Sequence, residues 1–233
     1  MNSTYIALIP KRRLAQTFND YFPISLCNLI YKIISKTITG QMHNILSKYI
    51  SPKQYGFLPD QQIHDDVAIA QECMHSIHTS HQNAAIMKVD LMKAFDSLDW
   101  GYLSLILLKI GMQPRCIKFI MACVQNINYV VIINGYPTRF FRPGRGLRQG
   151  CSLSLLLFIL AMDELSLRIK RAVEDGLFPA LDTSPNIKIS HVIFVDDVLV
   201  MGMLHRLSWM HLSYIFKRFE NASRLTMNVH KSM

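Results

Sequence analysis

The stretch HVIFVDDVLVMG, residues 191–202, puts two adjacent carboxylates, Asp196 and Asp197, inside an otherwise apolar run. Ionised carboxylates in a low-dielectric setting are costly unless a cation or hydrogen bonds compensate them. Either the pair sits on an exposed turn, where Asp is common, or a positive partner belongs there. On spacing alone the turn is the stronger account. Asp-Gly or Asn-Gly would be the usual turn choice, however, and two adjacent acids repel one another without an intervening cation. A third carboxylate, Asp90, closes the strand-like AAIMKVD. If these segments are neighbours in one sheet, Asp90, Asp196 and Asp197 converge at one edge. Such a set suits Mg²⁺, or Mn²⁺ in its place, since a hard ion takes oxygen ligands and leaves positions open for phosphates. Two ions about 4 Å apart would serve an in-line displacement at phosphorus.

Other acids and histidines have simpler roles. Asp96 and Asp99 suit N-caps of the helix that follows them, and Asp65-Asp66 suits the first turn of another. His75, His78 and His81 recur every third residue and imitate a zinc site, but no cysteine or carboxylate stands in register with them.

Charge supplies the second signal. The net charge is +9, and from Gly101 to Met162 there is no Asp or Glu. Within that span stand Lys109, Arg115, Lys118, Arg139, Arg142, Arg145 and Arg148, four of them in TRFFRPGRGLRQG. A focus of this kind favours a polyanionic partner held through phosphates, although a solvated loop also accommodates such a cluster. Gly144, Gly146 and Gly150 tilt the reading toward function, because they let backbone N–H groups approach a phosphate or base.

These groups must be placed by regular elements. Residues 4–9 read as a strand closed by Pro10, and 24–49 as a helix with Leu26, Leu29, Ile30, Ile33, Ile34, Ile38, Met42, Ile45 and Leu46 on one face. A second helix opens at Asp65 or Asp66. A strand over 84–90 follows, then a helix stopped near Gly111, a helix over 115–125 and a strand over 128–135 turning at Tyr136-Pro137. The apolar helix of 152–172 comes after the arginine-glycine loop. Residues 186–202 form one or two strands turning at Asp196-Asp197, and a last amphipathic helix spans 212–224. Strands and helices mix without strict alternation, which predicts an α+β class. Half of the 233 residues are hydrophobic, enough for one large domain or two small ones. The longest apolar run, Leu153 to Met162, is too short to cross a bilayer. Five scattered cysteines and no readable signal peptide point to an intracellular, cytoplasmic or nuclear setting.

Taken in order, these segments resemble the reverse transcriptases of plant LINE-type (non-LTR) retrotransposons. TYIALIPK and DYFPISLCNLIYKIISKTI look like fingers motifs, and QYGFLPDQQIHDDVAIAQE like the next block. KVDLMKAFDSLDW resembles the first palm motif, GLRQGCSLS the template-side loop, HVIFVDD the F-A-D-D box and NVHKS the lysine-bearing block. The resemblance implies a right-hand fold: fingers over 1–83, palm over 84–233 with fingers residues interleaved around 111–145, an antiparallel palm sheet packed on helices, and no thumb or endonuclease. It implies RNA-directed DNA polymerase activity by two-metal transfer to a primer 3′-hydroxyl, with Asp90, Asp196 and Asp197 holding Mg²⁺. Phe95 falls where the family excludes a ribose 2′-OH. Arg145, Arg148, Gln149 and Gly150 fall where nucleotide and template are contacted, and Lys231 lies in the block near the triphosphate. The implied partners are an RNA template with a DNA primer and deoxynucleoside triphosphates, without a membrane.

The departures from that pattern are specific. Phe22 stands for an expected Arg, Asp60-Gln61-Gln62 for Gly-Arg-Gln, Ser152 and Leu155 for prolines, Val195 for Ala and Arg224 for Gly. Two readings follow: a polymerase by ancestry, or a catalytically dead, truncated remnant that binds nucleic acid through residues 101–162. A nucleotide cyclase, a third two-metal enzyme, has no duplex to hold and no need of that basic stretch.

Overall fold

The computed structural model describes residues 3–46, 49–50, 63–184, 187–228 and 232. The chain divides into two compact units, residues 1–45 with 95–158 and residues 46–94 with 159–233. Asp60, Gln61, Gln62 and Lys231 lie outside the described residues.

In the first unit, β1 (Ser3–Pro10) pairs antiparallel with β2 (Tyr21–Cys27). The helix α1 (Leu29–Leu46) follows. This corrects the expected helix start at residue 24: Ile24 pairs with Ala7 in the ladder, and Asn28 closes the strand by accepting the Tyr31 N–H on its Oδ1 at 2.7 Å. The apolar face expected of α1 holds at its C-terminal end, where Met42 and Leu46 are buried, and fails over its first turns. Tyr31, Ser35 and Met42 are buried, whereas Leu29, Ile30, Ile33 and Ile34 face outward.

Along the chain, α2 (Ile63–Thr79) and β3 (Ala84–Val89) of the second unit precede the helices α3 (Ala94–Ser97), α4 (Trp100–Lys109) and α5 (Pro114–Gln125). Asp99 caps α4, accepting the Tyr102 N–H at 2.8 Å. Leu103, Leu107, Ile120, Met121 and Val124 are buried where α4 and α5 pack together. The strand β4 (Asn128–Ile133) joins β1 in parallel, and β5 (Tyr136–Pro137) pairs back on β4 through Asn134-Gly135, both at positive φ as a two-residue hairpin turn requires. The four-stranded order is β2-β1-β4-β5. The long helix α6 (Ser152–Glu174) covers the span expected from its apolar run.

The second unit contains β6 (Leu181–Ser184), β7 (Ile187–Ile189), β8 (His191–Phe194), β9 (Asp197–Met203) and α7 (Arg206–Ser223). β3, β9 and β8 form an antiparallel sheet in the order β3-β9-β8. Cys73 of α2, Leu181, Val192 and Met201 form its buried cluster, joined by Ile69, Ile77, Ala84 and Ile86. Gly202 lets the segment Phe178-Pro179 press on β9: a Cβ there would stand 2.6 Å from the Phe178 ring and 2.8 Å from the Pro179 carbonyl oxygen. His191 is fully buried, and its ring nitrogens meet Ser166 Oγ at 2.7 Å and Ser190 Oγ at 2.9 Å, a satisfied core histidine. The helix α7 begins six residues before the expected 212 and ends at Arg224 in the left-handed region, φ 63°. The architecture is α+β, with an antiparallel sheet packed on helices. No helix among the described residues is long and apolar enough to cross a membrane.

Candidate nucleic-acid interface and carboxylate edge

In the second unit the carboxylates gather at one end of the three-stranded sheet. Register pairs Val89 with Val198 and Phe194 with Asp197, so Asp90 follows β3 at the level where Asp197 opens β9. The two-residue turn is therefore Val195-Asp196, with Asp197 already in the strand. Val195 is buried and holds φ at 55°, a strained conformation for a β-branched side chain. Asp196 stands exposed at the tip. Desolvation by its surroundings raises its carboxyl pKa; its own backbone N–H opposes this, and the charges of Asp197 and Asp90 add to it.

Two neighbours compensate the edge. Lys88 shares a strand face with Asp90 by its two-residue spacing, and its ammonium lies 3.0 Å from Asp197 Oδ1. That hydrogen bond and the charge of Asp197 raise the Lys88 pKa. Asn228 donates from Nδ2 to Asp90 Oδ2 at 3.2 Å, its backbone N–H reaches the Asp90 carbonyl at 2.8 Å, and Ser232 Oγ accepts the Asp90 N–H at 3.2 Å. Among the described residues, no group of three or more His, Cys, Asp or Glu side chains is disposed to hold a metal ion. As arranged, an ammonium lies on Asp197 and an amide on Asp90, so divalent ions at this edge would compete with both contacts. The signal for Lys88 was present in KVD, where alternation alone puts the lysine and the aspartate on one face.

In the first unit the arginine-glycine loop is stitched to the chain between residues 95 and 100. Gly146 donates to the Leu98 carbonyl at 2.8 Å, Leu147 to that of Phe95 at 2.6 Å, and the Trp100 indole to that of Gly146 at 2.8 Å. Gly146 holds φ at +87°, and a Cβ there would meet the Asp96 carbonyl oxygen at 2.6 Å. The next residues separate by function. Arg148 is 2% exposed, with its guanidinium 3.6 Å from the Tyr31 ring centroid and donating to the Cys123 carbonyl at 3.2 Å. Burial raises the Tyr31 pKa, and the Arg148 charge opposes that rise. The expectation of Arg148 as a direct nucleic-acid contact is corrected: as placed, it is an internal brace with no surface to offer.

Gln149 donates from Nε2 to Asp96 Oδ1 at 3.1 Å, and its carbonyl accepts the Ser25 N–H at 3.3 Å. Gly150 follows at φ +83° beside Ile24 and Ser25. Ser25, Asp96, Tyr129, Arg145 and Gln149 line a small recess together with the apolar Ile6, Pro23 and Leu147. Asp96 is thus a side-chain partner of Gln149 rather than a helix cap, a pairing across 53 residues that no linear spacing reveals. Phe95 stacks on Phe158, ring centroids 4.5 Å apart and 18° between planes. Arg145, with Lys109, Arg115, Lys118, Arg139 and Arg142, is exposed, so six of the seven cations between 101 and 162 are available to solvent.

Among the departures noted in the sequence, Phe22 is about half exposed on β2, Ser152 opens α6, Leu155 continues it, and Arg224 occupies the left-handed position that ends α7.

A family model described as reverse transcriptase (RNA-dependent DNA polymerase) matches residues 9–233. The chain is 26% identical over 197 residues, 84% of its length, to an uncharacterised 149 kDa protein of transposon TX1 from Xenopus laevis. It is 27% identical over 157 residues, 67% of its length, to the Pol polyprotein of the type-2 retrotransposable element R2DM of Drosophila melanogaster. It spans about 15% of the length of each of these relatives. An uncharacterised mitochondrial protein of Arabidopsis thaliana is 48% identical over 67 residues, which is 28% of this chain and 55% of that protein. Among solved structures, the telomerase of Candida albicans in complex with a fragment of telomeric RNA superimposes with a TM-score of 0.71 at 13% identity, over all of this chain and 41% of that one. At that identity the likeness concerns the fold, which is of the reverse-transcriptase fingers-and-palm type. The chain belongs to the reverse transcriptase family and is related within it to the Pol proteins of non-LTR, R2-type retroelements.

Proposed function

We propose that the chain is the reverse-transcriptase segment of a LINE-type retroelement of plant origin that binds nucleic acid through residues 101–162 and does not itself extend a primer. The observation that carries this reading is the acid-free segment with six exposed cations on one compact unit. Such a surface attracts phosphates with little regard to sequence. The bound species is an RNA template with its DNA primer. Arg145 and the Gln149-Gly150 turn lie at the contact, and Arg148 holds the turn from inside. Residues 1–83 act as fingers and 84–233 as palm, with 111–145 belonging to the fingers. The match to the Arabidopsis thaliana protein supports the plant origin. The silent carboxylate edge is supported by the Lys88–Asp197 ion pair and by the Asn228 amide on Asp90.

A second reading is favoured by one observation, the register that sets Asp90 level with Asp197. It is two-metal nucleotidyl transfer from deoxynucleoside triphosphates, with Asp90, Asp196 and Asp197 as Mg²⁺ ligands, Phe95 selecting the sugar and Lys231 near the triphosphate. Primer extension on an RNA template with Mg²⁺ or Mn²⁺, run beside a binding assay, separates the two. The first reading predicts template binding without incorporation, and equal binding by Asp196→Asn. Incorporation that vanishes in Asp196→Asn establishes the second.

A further inference from the structure

The hairpin formed by β4 and β5 and the segment after it expose aromatic rings among arginines. Tyr136 is 78% exposed, Phe140 66% and Phe141 46%. Arg139, Arg142 and Arg145 are exposed beside them in sequence. The backbone beneath is fixed. Tyr129 and Phe141 exchange N–H···O bonds of 2.8 and 3.0 Å, and their rings lie 5.7 Å apart. Thr138 N–H donates to the Val131 carbonyl at 2.9 Å, Thr138 Oγ1 accepts from Val131 N–H at 3.0 Å, and Arg142 Nε donates to Asn128 Oδ1 at 3.1 Å. The rings of Tyr136 and Phe140 are therefore carried outward on a braced scaffold.

Exposed aromatic faces lose the benefit of burial, and here they are interleaved with cations in a stretch without a single acid. A partner that covers them must bring flat apolar faces and negative charge together. An apolar protein segment supplies the first alone, and duplex nucleic acid the second alone, since its bases are already stacked on each other. Unpaired nucleotides supply both.

We propose that Tyr136 and Phe140 form a stacking platform for the bases of single-stranded nucleic acid, with Arg139, Arg142 and Arg145 holding the phosphates. This deepens the nucleic-acid-binding reading above and rests on it. Stacking is a property of the rings and the salt dependence a property of the arginines, so the two contributions separate experimentally.

The test uses the full chain and fluorescence anisotropy with two probes of equal phosphate number, a labelled oligouridylate and a labelled RNA hairpin whose loop is a non-nucleotide linker, so that every base is paired. Replacing each ring by alanine, as in Tyr136→Ala and Phe140→Ala, is expected to weaken oligouridylate binding by roughly 5- to 150-fold per ring. The slope of log K against log salt stays unchanged, and hairpin binding stays within about twofold. Tyr136→Phe and Phe140→Tyr retain the wild-type affinity, which shows that ring faces rather than folding are responsible. Oligouridylate affinity unchanged in the alanine variants overturns the platform while leaving the nucleic-acid reading intact. Equal loss on oligouridylate and hairpin also overturns it. A wild-type chain that binds neither probe overturns the nucleic-acid reading, and the platform with it.

Discussion

The first unit carries twelve Lys and Arg against three Asp and Glu, whereas the second carries thirteen of each. All of the net charge of +9 therefore belongs to one unit. The neutral unit holds the carboxylate edge, and there the charges answer one another locally: Lys88 with Asp197, Lys188 with Asp182, Lys170 with Glu174 and Lys217 with Glu220. In the basic unit, six of the seven cations between 101 and 162 face solvent, and the seventh, Arg148, is enclosed by Tyr31 and the Cys123 carbonyl. One unit is thus arranged to attract a polyanion, and the other to keep its own acids compensated. Charge totals for the whole chain conceal this division.

The sharpest way to break the comparison is to move charge in each unit separately. The triple replacement Arg139→Glu, Arg142→Glu and Arg145→Glu is expected to weaken nucleic-acid binding on the order of a hundredfold at about 0.1 M salt. It should also make the salt slope shallower by about 2 to 3. The same reversal in the neutral unit, Lys170→Glu, Lys188→Glu and Lys217→Glu, is expected to change affinity by less than about threefold, since exposed ion pairs there contribute little. Equal losses in the two triples, measured by anisotropy, would remove the basis for assigning binding to one unit.

The next effect is on stability. Each unit contains a glycine against which another segment presses. Gly146→Ala meets both a positive φ and the Asp96 carbonyl oxygen, and is expected to cost about 2–4 kcal/mol. Gly202→Ala meets the Phe178 ring and the Pro179 carbonyl without the φ penalty, and is expected to cost about 1–3 kcal/mol. Urea midpoints rank the two, and the reverse order would mean that β9 tolerates less movement than the arginine-glycine loop.

Arg224 sits at φ 63° where α7 ends. Arg224→Gly removes the left-handed strain and is expected to stabilise the chain by about 0.5–1 kcal/mol, readable as a higher thermal midpoint. No gain would mean that the arginine makes a compensating contact. The smallest effect concerns Lys88. Lys88→Met removes the ammonium from Asp197 and is expected to tighten Mn²⁺ binding by up to about fivefold, the range of an exposed ion pair. Loss of the free-ion signal in electron paramagnetic resonance reads this without any turnover. An unchanged or weaker affinity would show that Lys88 does not compete for the edge.

Local chemistry carried much of this structure in the sequence. Asn134-Gly135 set the β4–β5 turn, the apolar run set α6, and Asp90 at the close of AAIMKV was legible as the end of a strand. Adjacency of β3 with the β8–β9 hairpin was the condition for bringing the acids together, and the sheet supplies it. What was hidden depended on tertiary partners. Residues 24–27 have a helical apolar pattern but extend because β1 offers a ladder, and α1 buries Tyr31 because Arg148 needs a ring to lie on. The Asp96–Gln149 pair closes across a loop, and no periodicity connects its two ends.

The salt dependence of template binding tests the role of the basic unit most directly. For the wild-type chain and an RNA–DNA primer-template, log K against log salt is expected to be linear with a slope of about −3 to −5, set by the exposed cations of the basic unit. Asp196→Asn should give the same line. Binding that is absent at low salt, or that does not change as salt rises, would contradict that role.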